Sequence, residues 1–177
     1  MKSLQEIQTE QAEWSAYNFG PSVPSQQLMG IAEEVAELLM SHVSDDDSRK
    51  DAIADAGVFL LNYASAKQLD IQECIEKAAA ERFTFADVRV DHELDSVVDL
   101  QIFIGRLCHH QLKTEQNIRL NENHPEKIKM YVGLMAMALD GVARSYCKSD
   151  LLTEINKTWE SVRLRDFKKF PNNGRTH

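Results

Sequence analysis

Apolar residues recur along most of this chain at spacings of three and four, the period of a helix that buries one face. Over residues 3–17 the periodic positions are Leu4, Ile7, Gln11, Trp14 and Tyr17, and Gly20 and Pro21 in the FGPSVP stretch stop the segment. Ser25 is placed to cap a second helix that runs to about Val43 and buries Leu28, Ile31, Val35, Leu38 and Leu39. The SDDDS run at 44–48 reads as a loop whose aspartates favour the start of a third helix, about 48–67, through its dipole. That helix is apolar nearly all round after Asp55, which predicts the central, most buried element. Asp70 caps a shorter helix through about Phe83. Longer helices follow near 91–115 and 125–146, with the polar loop NIRLNENH between them, and Asp150 opens a last one ending near Phe167. The terminal PNNGRTH, 171–177, is expected to be a flexible tail.

Composition sharpens this to an all-α helical bundle. Seven glycines and four prolines are too few for a turn-rich sandwich or barrel. With 177 residues and an apolar fraction of 43%, the chain has enough core to fold without disulfides or a structural metal. A catalytic half over 1–85 and a second helical half over 86–170 are the expected units. NYASAKQLDIQECIEKA (62–78) aligns with GVARSYCKSDLLTEINKT (141–158), pairing Ala64 with Ala143, Ile71 with Leu151, Ile75 with Ile155 and Lys77 with Lys157. The alignment inserts one residue after the Ala64–Ala143 pair, and the offset of that pair sets Asp51 against Met130 and Asp55 against Leu134. This is either a degenerate second copy of the helical unit or the resemblance that any two amphipathic helices share.

Charge restricts the partners. Twenty basic against 28 acidic residues leave a net charge of −8, unsuited to duplex nucleic acid, whose phosphates demand a basic face. A nucleotide substrate stays open, because a bound divalent ion reverses the local field. Cys74, Cys108 and Cys147 form no C-x-x-C pair and fit a reducing compartment. The start, MKSLQEIQTEQAEW, lacks the apolar core of a signal peptide, and no apolar run approaches the ~20 residues of a membrane span. A cytoplasmic protein is expected.

The strongest chemistry lies in the carboxylates. In GIAEEVAELLM, helical spacing projects Glu33, Glu34 and Glu37 near one face, beside apolar Ile31, Val35 and Leu38. In KDAIADAGVFLLNYA, Asp51 and Asp55 lie one turn apart on the next helix. A short loop makes the two helices antiparallel neighbours, so all five acids can converge across the groove. Hard oxygen ligands in this number select Mg²⁺, with Mn²⁺ as the alternative ion.

EExxE on one helix, followed by Asp-x-x-x-Asp on the next, resembles the MazG-like all-α nucleoside triphosphate pyrophosphohydrolases, whose motif is EExxE and then ExxD. QAEWSAYNFG, LMGIAEEVAELL, DAIADAGVFLLNYA and TWESVRLRDFKKFP are similar to segments of that family, so the resemblance covers residues 8–83 and returns at 150–171. One position departs: where the family usually has the glutamate of ExxD, this chain has Ala52, with Asp51 one residue earlier and about 100° around the helix. The resemblance implies a metal-dependent hydrolysis of (d)NTP to (d)NMP and pyrophosphate, such as clearance of non-standard or surplus nucleotides. It also implies Glu33, Glu34, Glu37, Asp51 and Asp55 as metal-binding residues. Glu33 and Glu34 are the catalytic candidates, Glu33 as ligand or as the base that takes the water's proton. Relatives complete their bundles by oligomerising, so a homodimer is expected. The rival reading is a catalytically weakened helical protein that binds a nucleotide or another protein.

Around this centre, Asn62 is placed to hydrogen-bond a base or sugar. Trp14 and Phe19 could stack on a base or form a hydrophobic staple onto the second helix. Lys77, a substrate-binding candidate, is one of several cations that could clamp phosphate, with Arg82, Lys157, Arg163, Arg165, Lys168 and Lys169. His109, His110 and His124 show no ligand spacing and read as surface or core residues. Asp95 and Asp99 read as a solvated helix face.

Overall fold

In a computed structural model, which describes residues 1–40, 46–81 and 96–175, the chain is all helical. The elements are α1 (Leu4–Phe19), α2 (Pro24–Met40), α3 (Asp46–Ala66), α4 (Ile71–Glu81), α5 (Val97–Glu115), a 3₁₀ turn (Leu120–Glu122), α6 (His124–Cys147) and α7 (Leu151–Val162). The predicted helix ends at Val43 and Phe83, the predicted start at 91, and Arg82 and Asp95 lie outside the described residues. No described helix is long and apolar enough to cross a membrane.

Local chemistry explains most boundaries. Ser3 and Glu6 form a capping box ahead of α1, and Gly20, at φ +83, ends it in a conformation that favours glycine. Asp70 and Asp150 accept from the backbone N–H of Glu73 and Thr153, capping α4 and α7. Some predicted boundaries shift. Helix α2 begins at Pro24, whose fixed φ suits a first turn, so Ser25 stands inside the helix. Helix α3 takes in Asp46 and Asp47, drawn from the predicted loop into its first turn, where acids favour the dipole. Asp99 is no solvated face: it is buried and forms a capping box with Ser96. Helix α7 stops at Val162, not near Phe167, and the chain then turns back on itself. There Asp166 N–H donates to the Gly174 carbonyl and Gly174 N–H to that of Phe170, so backbone hydrogen bonds reach into the segment read as a tail.

Helix α3 shares the centre of the bundle with α6, which is buried without a break from Met130 to Ala136. The packing has an internal exchange. Helix α2 packs on α3 as α5 packs on α6, and α7 packs on α3 as α4 packs on α6, while α2 meets α5 and α3 meets α6. Swapping α2, α3 and α4 for α5, α6 and α7 therefore maps these pairings onto one another, although α6 also packs on α7 and α3 does not pack on α4 to the same extent. Both units also share a helix, a turn with one left-handed residue (Gln68 or Lys148) and an aspartate-capped helix. Close approach at α6 requires glycine: a Cβ on Gly133 would lie 2.0 Å from the Cys74 carbonyl oxygen of α4. Helix α1 lies outside this exchange and packs on α3, α4 and α7.

Candidate functional site

The antiparallel register of α2 and α3 follows from two facing pairs. The Phe59 ring sits where a Cβ on Gly30 would be, and one turn along Glu34 is in electrostatic reach of Asp55. Apolar positions hold the pair together: Ile31, Val35 and Leu38 from α2, Ile53, Ala56 and Leu60 from α3, all buried. The remaining face of each helix carries the acids to the groove. Glu33, Glu37 and Asp51 are exposed there, and Glu34 and Asp55 are half-buried.

The groove is electrostatically crowded. Burial, then the charges of Asp55, Glu37, Glu33 and Asp51, push Glu34 up to about 8. Burial and Asp51 raise Asp55 to about 6, with Arg165 pulling the other way and Glu37 adding to the rise. Glu34 thus feels all four of the other predicted acids, and Asp55 feels Asp51 and Glu37. Ala52, by contrast, is buried at 4% exposure and faces the core, while Asp51 is exposed on the groove side. The acids do not form a tight ligand cage: among the described residues, the only set of three whose donor atoms all lie within 4.8 Å of one another is His109, His110 and Glu122.

Beside Glu34 and Asp55 opens a pocket of about 530 Å³, a volume in the range of small-molecule sites, between α1, α2, α3 and the segment after α7. Buried side-chain atoms without a hydrogen-bond partner concentrate here: Gln11 Oε1, Ser22 Oγ, Gln27 Oε1, Asn62 Oδ1 and Arg165 Nε all belong to residues lining this pocket. Unmet buried polar groups are costly and uncommon, so their convergence makes this pocket the candidate site for a polar ligand. Gln11 is oriented by its own amide, whose Nε2 donates to the Val58 carbonyl at 2.8 Å and leaves Oε1 toward the pocket.

Other predicted residues fall on either side of this boundary. Asn62 lines the pocket, its Nδ2 donating to Ser15 Oγ at 3.1 Å. Trp14 lines it too: its indole N–H donates to the Arg165 carbonyl at 3.0 Å, and its ring meets Phe19, Trp159 and Phe167 edge-on. Lys77 is not brought to the groove, being paired with Glu81 and Glu126 across α4 and α6. Of the other cations, Lys157 pairs with Glu154, Arg163 with Glu160 and Lys169 with Asp166, while Lys168 covers the Tyr17 ring. Arg165 is the described candidate that reaches the pocket.

Three residues escaped sequence reasoning. Gln11 reads as part of a helical stripe, Ser22 falls in the FGPSVP stretch that stops the first helix, and Gln27 stands out in no pattern; only their shared pocket gives them meaning. The three histidines also converge, contrary to expectation: His110 Nδ1 lies 3.0 Å from His124 Nδ1, and His109 Nε2 lies 3.4 Å from Glu122 Oε2.

Compared with known proteins, the chain matches no family model, and no curated protein or solved structure matches it.

Proposed function

We propose that this protein is a metal-dependent nucleotide pyrophosphohydrolase, cleaving a (d)NTP to its monophosphate and pyrophosphate. The observation that carries the reading is the junction of two unlike environments: a groove in which four acids crowd the Glu34 carboxyl, and beside it a pocket with five unpaired buried polar atoms. The first suits a cation-neutralised polyphosphate and the second a nucleoside.

The donor set fits Mg²⁺, or Mn²⁺ in its place: carboxylate oxygens alone, crowded enough to raise Glu34 and Asp55, are what a hard dication relieves. Glu34, Glu37 and Asp55 would hold it, with Asp51 standing in for the glutamate that Ala52 lacks. When bound, the ion would neutralise phosphate charge and lower the pKa of a ligated water. Glu33, exposed beside Glu34, can accept the water's proton. Arg165, the counter-charge to Asp55, is placed to steady the charge on the departing phosphates. In the pocket, the acceptors Gln11 Oε1 and Gln27 Oε1 call for donors, which favours a base with an exocyclic amino group over uracil or thymine.

Two coarser expectations belong with this reading. Cys74, Cys108 and Cys147 are all free, which suits a reducing, cytoplasmic setting. Met29, Leu39 and Met40 on α2 stay exposed, and a homodimer would cover them; sedimentation velocity tests it.

The deciding experiment is pyrophosphate release from a panel of NTPs and dNTPs with Mg²⁺ or Mn²⁺. Monophosphate plus pyrophosphate from any of them supports the reading, and Glu37→Gln and Asp55→Asn should each cut turnover by at least about 10²-fold while staying folded. Silence across the panel, with folded protein, would move the nucleotide-binding alternative ahead.

A further inference from the structure

The turn between α5 and α6 carries chemistry that the acidic groove does not use. His109 and His110 stand in the last two turns of α5, Glu122 closes the 3₁₀ turn, and His124 opens α6. A nitrogen of His109, a nitrogen of His110 and a carboxylate oxygen of Glu122 all lie within 4.8 Å of one another. His109 Nε2 and Glu122 Oε2 are 3.4 Å apart, too long for a good hydrogen bond. It is close to the edge of about 3.3 Å between ligands of a tetrahedral ion with bonds of ~2.0–2.1 Å.

The ring partners fix how His110 is presented. His124 Nε2 lies 3.1 Å from the Ile118 carbonyl, which can only accept, so that nitrogen carries a hydrogen. In that Nε2–H tautomer the His124 Nδ1 is bare, and His110 Nδ1, 3.0 Å away, donates to it. His110 Nε2 is then left with a free lone pair. Both rings are almost fully buried, at 4% and 3% exposure, so their orientations are held by the surrounding packing. An imidazole whose second N–H is held by an acceptor, itself anchored to a carbonyl, has the support that metal-bound histidines ordinarily have. The loop that returns Glu122 to α5 passes through left-handed backbone at Asn117, Arg119 and Asn123, and Arg119 has none of the local stabilisation that asparagine brings to that region.

We propose that His109, His110 and Glu122 bind a zinc ion, with His124 and the Ile118 carbonyl orienting His110. A fourth coordination position would face a cavity of about 540 Å³ that Arg106, Arg119 and Lys127 also line. Those cations repel an ion held by charge alone, so the site discriminates against Mg²⁺ and relies on imidazole nitrogen, which Zn²⁺ binds well. The same cations suit an anionic fourth ligand.

The test is metal titration of the full-length protein after stripping with a chelator. Cobalt(II), as a spectroscopic substitute, should give the intense visible bands of a tetrahedral site at one equivalent, and zinc should displace it in the presence of excess Mg²⁺. His109 and Glu122 are about one-third exposed, so His109→Asn and Glu122→Gln should keep the helical content while weakening zinc binding at least tenfold. His124→Phe should weaken it about 10–100-fold through His110 alone. Glu37→Gln, in the separate acidic groove, should leave the cobalt spectrum unchanged. Absence of the tetrahedral spectrum, or equal zinc affinity in wild type, His109→Asn and Glu122→Gln, overturns the proposal.

Discussion

The pairs α2–α3 and α5–α6 occupy exchangeable places in the bundle and are filled in opposite ways. Between α2 and α3 the groove is open, and Glu34 and Asp55 sit half-buried among like charges. In the register that pairs Ala64 with Ala143, Asp51 and Asp55 correspond to Met130 and Leu134 of α6, and both of these are completely buried. The second pair has closed its groove with apolar side chains, and its polar residues gather at the turn, where histidines partner one another. One helical frame thus accommodates both arrangements. What separates them is the chemistry of a few positions on the inner helix, not the packing that holds it. The first pair also gives up stability for its acids, since crowded carboxylates oppose folding and apolar residues at the same places favour it.

Exchanging residues between the two pairs gives the largest expected effect. Leu134→Asp would set an unpaired carboxylate at a completely buried position and should destabilise the fold by about 3–5 kcal/mol, read as a lower midpoint in urea unfolding. Asp55→Leu, the reverse exchange, should raise the midpoint of the metal-free protein while removing the proposed nucleotide hydrolysis. If Leu134→Asp were as stable as the wild type, the second groove would be open to water, and the contrast between the pairs would fail.

The pairs should also separate by pH. Glu34 at about 8 and Asp55 at about 6 lie above their ordinary values of 4.5 and 3.8, so the folded protein holds protons that the unfolded chain releases. Their contribution to stability is greatest below the unfolded values and is lost as pH rises through the folded ones. His110 behaves oppositely: burial, with the neighbouring charges of His109 and His124, pushes it down to about 4 from 6.5, so it costs stability as pH falls through that interval. Between pH 6.5 and 8 the acid groove therefore dominates. Metal-free protein should melt at progressively lower temperature across that window, and Glu34→Gln should flatten the slope. A slope unchanged by Glu34→Gln would show that this carboxylate is not strained.

Much of this contrast could be read from the sequence. Periodicity and glycine–proline punctuation were enough for the all-helical bundle, and EExxE with Asp51 and Asp55 pointed to the acids that share the groove, because helical spacing alone places them. The histidine cluster depends instead on a 3₁₀ turn and left-handed residues that bring Glu122 back to α5, which no local period encodes. Arg165 was one of seven basic candidates. Its selection depends on the chain reversing after Val162, where the Trp14 indole holds the Arg165 carbonyl, a contact across 151 residues. Asp99 was misread because an aspartate three residues after a serine serves a cap or a solvated face equally well, and burial decides between them.

The pocket offers the finest separation, because its unpaired acceptors have no counterpart in the closed pair. Gln27 lines it with a buried Oε1 that lacks a partner, and no hydrogen bond of its side chain ties it to the fold. Gln27→Met keeps the length of the side chain and removes only the acceptor, so stability should hardly change. A hydrogen bond to an amino-bearing base contributes about 0.5–1.5 kcal/mol, and its loss should lower kcat/KM for such substrates about two- to tenfold. Uracil and thymine nucleotides, which present carbonyls where the amino group would be, should be little affected. The preference between the two classes should therefore narrow in Gln27→Met, measured as a ratio of kcat/KM values. A uniform fall across all bases would assign Gln27 to holding the pocket's shape, and the amino-base preference would then have to rest on Gln11 and Asn62 alone.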